Sequence, residues 1–299
     1  MRMVLGVLAC AGIAAAATCG GHGTRESLLV STGWLADHLK DPKLVILAVG
    51  DKGEYDTAHI PGSVFVDYME THAMKSPAGL TLEMLPLAEE VEVFQKIGIS
   101  NDSRVVLYPL KDWNAQTARI YVTLDSMGLG ANASVMNGGL PAWQREGRPV
   151  TPAAPKVTRG KIVPCAQGDV VADLEYVRTH MKTAGTAIVD ARLAEYYTGA
   201  TIPKGRRAGH IPGASNIAFN SLVDGDGKLL ALEALQAKFK DAGIKPGDRV
   251  VSYCHIGQQA SEVYFVARYL GYDARLYDGS WEEWSGRSEL PADTSITKN

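Results

Sequence analysis

Four segments of this chain occur twice, in the same order, and that repetition constrains its fold more than any other feature. Phe94-Gln95-Lys96-Ile97-Gly98-Ile99 returns as Phe239-Lys240-Asp241-Ala242-Gly243-Ile244, and Arg104-Val105-Val106-Leu107-Tyr108 as Arg249-Val250-Val251-Ser252-Tyr253, both 145 positions later. His59-Ile60-Pro61-Gly62 returns as His210-Ile211-Pro212-Gly213 at an offset of 151, and Gly138-Gly139-Leu140-Pro141-Ala142-Trp143 as Gly279-Ser280-Trp281-Glu282-Glu283-Trp284 at 141. Ordered matches with drifting offsets describe a duplicated unit of about 120 to 130 residues with loop insertions, not a short solenoid repeat. The 299 residues therefore divide into two domains, expected at 25–148 and 165–292, joined by a semi-rigid linker over 149–164 that carries Pro149, Pro152, Pro155 and Pro164.

Within each copy, apolar runs alternate with helical patterns. Leu44–Val49, Val105–Tyr108, Ala187–Val189 and Val250–Tyr253 lack polar alternation, as strands buried on both faces do. Helices are predicted over Leu82–Gln95, Leu230–Lys240 and Ala260–Leu270, with Gly98 and Gly243 as stops. The expected fold is α/β: two tandem domains, each an open, mostly parallel sheet with helices on both faces. In such sheets ligands sit at the carboxyl ends of strands.

Residues 1–20 read separately. Arg2 precedes an apolar run from Met3 to Ala17, too short to span a bilayer of about 30 Å and closing on small residues, so an export signal and a periplasmic protein are expected. Cys19, after Ala16-Ala17-Thr18, is a candidate lipid attachment point and the only expected membrane tie. A formal charge of −3 gives no basic field to gather nucleic acid, and none is expected as a partner. Setting Cys10 and Cys19 aside leaves Cys165 and Cys254, too few for a disulfide framework, and no Cys/His cluster suggests zinc. Cys165, in the linker, is expected to be inert.

Cys254 differs because of its position. It follows the strand ending at Tyr253, and Cys254-His255-Ile256-Gly257-Gln258-Gln259 separates it from the helix at Ala260. A loop there turns its N–H groups inward at the positive end of a helix, an anion cradle centred on the sulfur that lowers a thiol pKa and favours the nucleophilic thiolate.

Val189-Asp190-Ala191-Arg192, Gly209-His210-Ile211-Pro212-Gly213-Ala214, Tyr253-Cys254 with its six-residue loop, and Tyr277-Asp278-Gly279-Ser280-Trp281 with Trp284 stand in the order found in rhodaneses. Nearly the whole chain beyond residue 20 resembles a two-domain rhodanese, a sulfurtransferase. That resemblance implies a persulfide on Cys254 and an inactive N-terminal copy, where Pro109 stands opposite Cys254. It implies transfer of a sulfane sulfur from thiosulfate or a similar small donor to cyanide or a thiol, with loop N–H groups from His255 to Gln259 holding the persulfide and no metal or organic cofactor. A protein acceptor is left unidentified. The alternatives are a 3-mercaptopyruvate sulfurtransferase and a non-catalytic sulfur-binding or sensor module.

The chain departs from the thiosulfate enzymes where charge is needed. Their loop has two cations after the cysteine, and another Arg follows the Asp-x-Arg signature; here those positions are His255, Ile256 and Tyr196. Nor is the loop the short Gly/Ser-rich one of mercaptopyruvate enzymes. Lys204, Arg206 and Arg207 are candidate replacements, and a protonated His255 is expected to strengthen thiosulfate binding. Asp190 and Arg192 are expected to orient the loop, His59 and His210 to fasten their turns, and Trp281 and Trp284 to pack around the site. A Cys-dependent phosphatase would need Arg six residues after the cysteine, where Ala260 stands.

Overall fold

Parallel strands with apolar residues on both faces must be covered on both sides, and the duplication does this twice. The computed structural model describes residues 21–111 and 115–294. The leader segment 1–20, with Cys10 and Cys19, lies outside them.

The first copy runs α1 (Arg25–Leu28), β1 (Leu29–Val30), α2 (Thr32–His38), β2 (Leu44–Val49), α3 (Lys52–Thr57), β3 (Val64–Val66), β4 (His72–Ala73), β5 (Glu83–Met84), α4 (Leu87–Lys96), β6 (Arg104–Pro109), α5 (Ala115–Ser126), β7 (Ala133–Met136) and α6 (Gly139–Arg145). The second runs β8 (Val171–Ala172), α7 (Leu174–His180), β9 (Thr186–Asp190), α8 (Ala194–Thr198), β10 (Ser215–Asn216), α9 (Leu232–Asp241), β11 (Arg249–Tyr253), α10 (Ala260–Leu270), β12 (Asp273–Tyr277) and α11 (Ser280–Gly286). Each copy builds a parallel five-stranded sheet, ordered β1-β7-β6-β2-β3 and β8-β12-β11-β9-β10, so equivalent strands hold equivalent places. The central ladders pair Leu44 with Arg104 through Val49 with Pro109, and Thr186 with Arg249 through Asp190 with Tyr253.

Alternation along the strands divides the core. Ile46, Ala48, Val106 and Tyr108 join a cluster belonging to the first copy alone, and Ile188, Val251, Tyr253 and Tyr277 one belonging to the second. The opposite faces, with Leu47, Val49, Leu107, Val189, Val250 and Leu276, merge with α5 and α10 into one continuous core. Tyr121 of α5 meets Phe265 of α10 edge to face, with centroids 5.0 Å apart. Such a pair adds about 0.5–1.5 kcal/mol beyond its burial.

The repeated motifs serve the same purposes in both halves. His59 stacks on Tyr55 and His210 on Tyr197, each at 3.8 Å, and each Nδ1 bonds the carbonyl of that tyrosine, at 2.6 and 2.7 Å. Tyrosines near the carboxyl ends of the central strands accept the next N–H of the motif, Ile60 to Tyr108 at 3.1 Å and Ile211 to Tyr253 at 3.0 Å. The expected fastening role of both histidines follows from these bonds.

Two expectations are corrected. The helix predicted from Leu82 begins at Leu87, because Pro86 cannot donate within a helix. Glu83–Met84 instead pairs with His72–Ala73 as an antiparallel ribbon, and Leu82 adopts a left-handed φ of 55°. Cys165 is not the lone thiol expected: it is disulfide-bonded. The Pro-rich segment holds it in place by docking along the first copy, with Gly160 N–H on Gln95 O at 2.8 Å and Cys165 N–H on Met127 O at 3.0 Å.

Candidate active site

Cys254 leaves β11 at the carboxyl end of the sheet, and the turn that follows is wired to its neighbours. Trp281 N–H donates to Cys254 O at 2.9 Å and Glu282 N–H to His255 O at 3.0 Å. Cys254 N–H donates to Ser280 Oγ at 3.1 Å, and Ser280 holds a left-handed φ of 51° while donating to Tyr277 O at 2.8 Å. A non-glycine residue in that region is strained, and here the strain places the acceptor under the cysteine. Gly257, at φ 86°, is the loop position where a side chain has no room: its Cβ would stand 2.7 Å from Asp278 Oδ1.

The N–H groups of Ile256, Gly257, Gln259 and Ala260 face the Cys254 sulfur. The cradle thus takes in the first residue of α10 beyond the expected loop. The expected low thiol pKa is corrected as well. Burial pushes the Cys254 thiol up, outweighing the four N–H groups that pull it down, because the residue is sealed from solvent.

Asp190 and Arg192 pair below the loop. Arg192 Nε lies 3.0 and 3.1 Å from the two carboxylate oxygens and Nη2 2.6 Å from Oδ2, while Nη2 also donates to Gly209 O at 2.7 Å. The guanidinium lies over the ring of Trp281 at 4.7 Å. Trp281 Nε1 donates to Arg207 O at 3.1 Å, and Trp284 Nε1 to Pro291 O at 2.8 Å, so both indoles pack with satisfied donors.

His255 meets Tyr196 edge-on, with centroids 4.7 Å apart. Burial, and then the Arg192 charge, push its pKa down to about 4. The expectation that it gains a proton near neutral pH is therefore overturned.

The candidate replacement cations separate. Arg207 donates to the carbonyls of Trp284, Ser285, Arg287 and Leu290, closing the end of α11. Arg206 pairs with Glu282 and, with Lys75, Thr81 and Arg287, lines an open cleft of about 660 Å³ between the copies. Lys204 is exposed.

The first copy reaches the supports of the active loop. Thr81 N–H reaches Glu282 Oε2 at 2.7 Å and Met84 N–H reaches Asp278 Oδ2 at 2.9 Å, so the ribbon segment lies against the active loop's supports. Arg119 of α5, fully buried, pairs with Asp278. Asp278 stood in a recognised motif and was a findable signal. Arg119 sits in an ordinary helix pattern of the other copy.

Among the described residues no helix is long and apolar enough to cross a membrane.

The arrangement can hold a sulfur anion and shield it from water. The Rhodanese-like domain family matches residues 31–146 and 173–287. The sulfur carrier protein TtuD of Thermus thermophilus is 35% identical over 88% of this chain and 95% of its own. A thiosulfate sulfurtransferase of Corynebacterium glutamicum is 30% identical over 91% of this chain and 92% of its own. Among solved structures, the crystal structure of the 3-mercaptopyruvate sulfotransferase SseA from Escherichia coli superposes with a TM-score of 0.75 at 26% identity, covering 85% of this chain and 99% of that one.

Proposed function

From the premise that the chain belongs to the Rhodanese-like domain family, as a tandem pair, we propose that it is a sulfurtransferase working through a persulfide on Cys254. The observation that carries this reading is the ring of four N–H groups around the one free, fully buried cysteine among the described residues.

Thiosulfate is the donor favoured here. Cys254 thiolate attacks the outer sulfur, the S–S bond of the donor breaks, and sulfite leaves with the electron pair, giving Cys254–S–S⁻. Preorganised N–H donors around the sulfur stabilise that anion as an oxyanion hole stabilises developing charge. A nucleophilic acceptor, cyanide or a thiol, then takes the outer sulfur and restores the thiolate. Neutral His255, Tyr196 and the cleft with Lys75, Arg206 and Arg287 provide the polar approach, in place of loop cations. Gln258 and Gln259 shape the rest of the loop.

Treatment with thiosulfate followed by intact-mass measurement tests this. One sulfur atom added to the parent and none to Cys254→Ser is the expected result; no addition to the parent sinks it. A panel of thiosulfate, 3-mercaptopyruvate and thiosulfonates, compared by kcat/KM, then identifies the donor.

Export to the periplasm is part of the same proposal. The apolar run Met3–Ala17 supports it. Cell fractionation with sequencing of the mature amino terminus distinguishes a released protein from one acylated at Cys19.

A further inference from the structure

Arg119 belongs to the copy without a loop cysteine, yet its guanidinium is buried against the loop of the other. Its Nε lies 2.9 Å from His72 Nε2, and Nη2 donates to Leu82 O at 3.1 Å and to Asp278. Nη1 is buried and has no acceptor. It lies 2.9 Å from the point where a Cβ on Gly257 would stand, and the Gly257 N–H is one of those facing the sulfur. Leaving a buried donor unmet costs about 1–3 kcal/mol, more for a charged group. An anion formed in the loop removes that penalty.

We propose that Arg119 is a fixed cation of the sulfur site, supplied across the boundary between the copies, and that its open Nη1 serves the negative charge of Cys254 as thiolate and then as persulfide. The inference rests on the sulfurtransferase reading above and gives the inactive copy a chemical task.

The other groups around Cys254 leave that role open. Asp190 and Arg192, at the end of β9, form a two-oxygen pair within the second copy, and Arg192 Nη1 is also buried without an acceptor, so this pair is a second, separate source of charge near the sulfur. In the loop, His255 is neutral at pH 7. Tyr68, from the turn before β4, is neutral because burial holds its pKa far up. Behind Arg119, burial and the guanidinium itself push His72 down to about 3, and burial pushes Glu90 of α4 up to about 8, so both are largely uncharged at pH 7. Arg119 against Asp278 is therefore the part of the balance at the sulfur that the first copy supplies.

Two substitutions break that one ion pair and change the charge in opposite senses. Arg119→Gln removes the cation, whereas Asp278→Asn leaves it unopposed. The pH dependence of Cys254 alkylation by iodoacetamide, with Cys254→Ser as blank, reads the effect on the thiolate. The expected midpoint moves up by about one pH unit in Arg119→Gln and down in Asp278→Asn, with Arg119→Lys close to the parent. A structural tie alone predicts that both variants shift the same way or not at all, and either outcome in folded protein overturns the proposal. Should Arg119→Gln fail to fold, the direction in Asp278→Asn decides. Alkylation needs no sulfur donor, so a parent that gains no sulfur from thiosulfate defeats the sulfurtransferase reading without touching this result.

Discussion

The guanidinium of Arg192 spans both carboxylate oxygens of Asp190 in a site where both side chains are fully buried. Removing one partner strands the other as an unpaired buried charge. Arg192→Ala is expected to cost about 3–5 kcal/mol of stability, read as a lower urea midpoint. Arg192→Lys keeps the charge but not the forked geometry, and its sulfur-transfer rate should fall more than its stability. Equal losses in both would make the pair purely structural.

The low pKa of His255, about 4, fixes the sign of a pH effect. Because the folded-state value lies below that of the unfolded chain, stability from this group is present above pH 6.5 and drains away as pH falls toward 4. Between pH 5.5 and 8 the folded ring is neutral, so KM for thiosulfate should be insensitive to His255 titration there. His255→Arg should lower KM several-fold at low ionic strength. A KM that drops below pH 7 in the parent, and not in His255→Ala, would contradict the buried, neutral ring.

Glu90 carries the opposite signature. Burial raises its pKa to about 8, above its unfolded value, so stability from the neutral acid is complete below pH 4.5 and is lost as pH rises through about 8. Glu90→Gln should remove that alkaline decline from a series of thermal melts between pH 5 and 9.

Reduction of the disulfide at Cys165 should lower the melting temperature while leaving sulfur transfer at low temperature nearly unchanged. Native disulfides contribute about 2–4 kcal/mol, and Cys165 sits by the end of α5, packed on Gly128 rather than at the active loop. Cys165→Ser, assayed by melting and by rate, tests both halves of that statement.

What could be read from the residues was mostly what repeats or follows a period. Leu44–Val49 and Ala260–Leu270 have the observed limits because uninterrupted apolar runs and helical spacing are local signals. Cys254 was found because a strand, a six-residue loop and a helix are contiguous in the chain. The depressed pKa of His255 is not legible in the loop motif, because burial is a property of packing. Leu82–Met84 was misread because its apolar residues fit a helix until Pro86 and the tie to Asp278 impose a ribbon. Arg119 was missed because its partner lies 159 positions away.

The shared core around α5 and α10 gives the two copies the standing of subunits in an obligate dimer, held at fixed stoichiometry by the chain itself. Tyr264 of one helix hydrogen-bonds Asp125 of the other at 2.6 Å inside that core. Separated, each half would present an apolar helix face with a stranded polar group, the kind of surface that drives aggregation or captures a stand-in. A chain ending after α6 would leave uncovered the face of α5 that packs on α10.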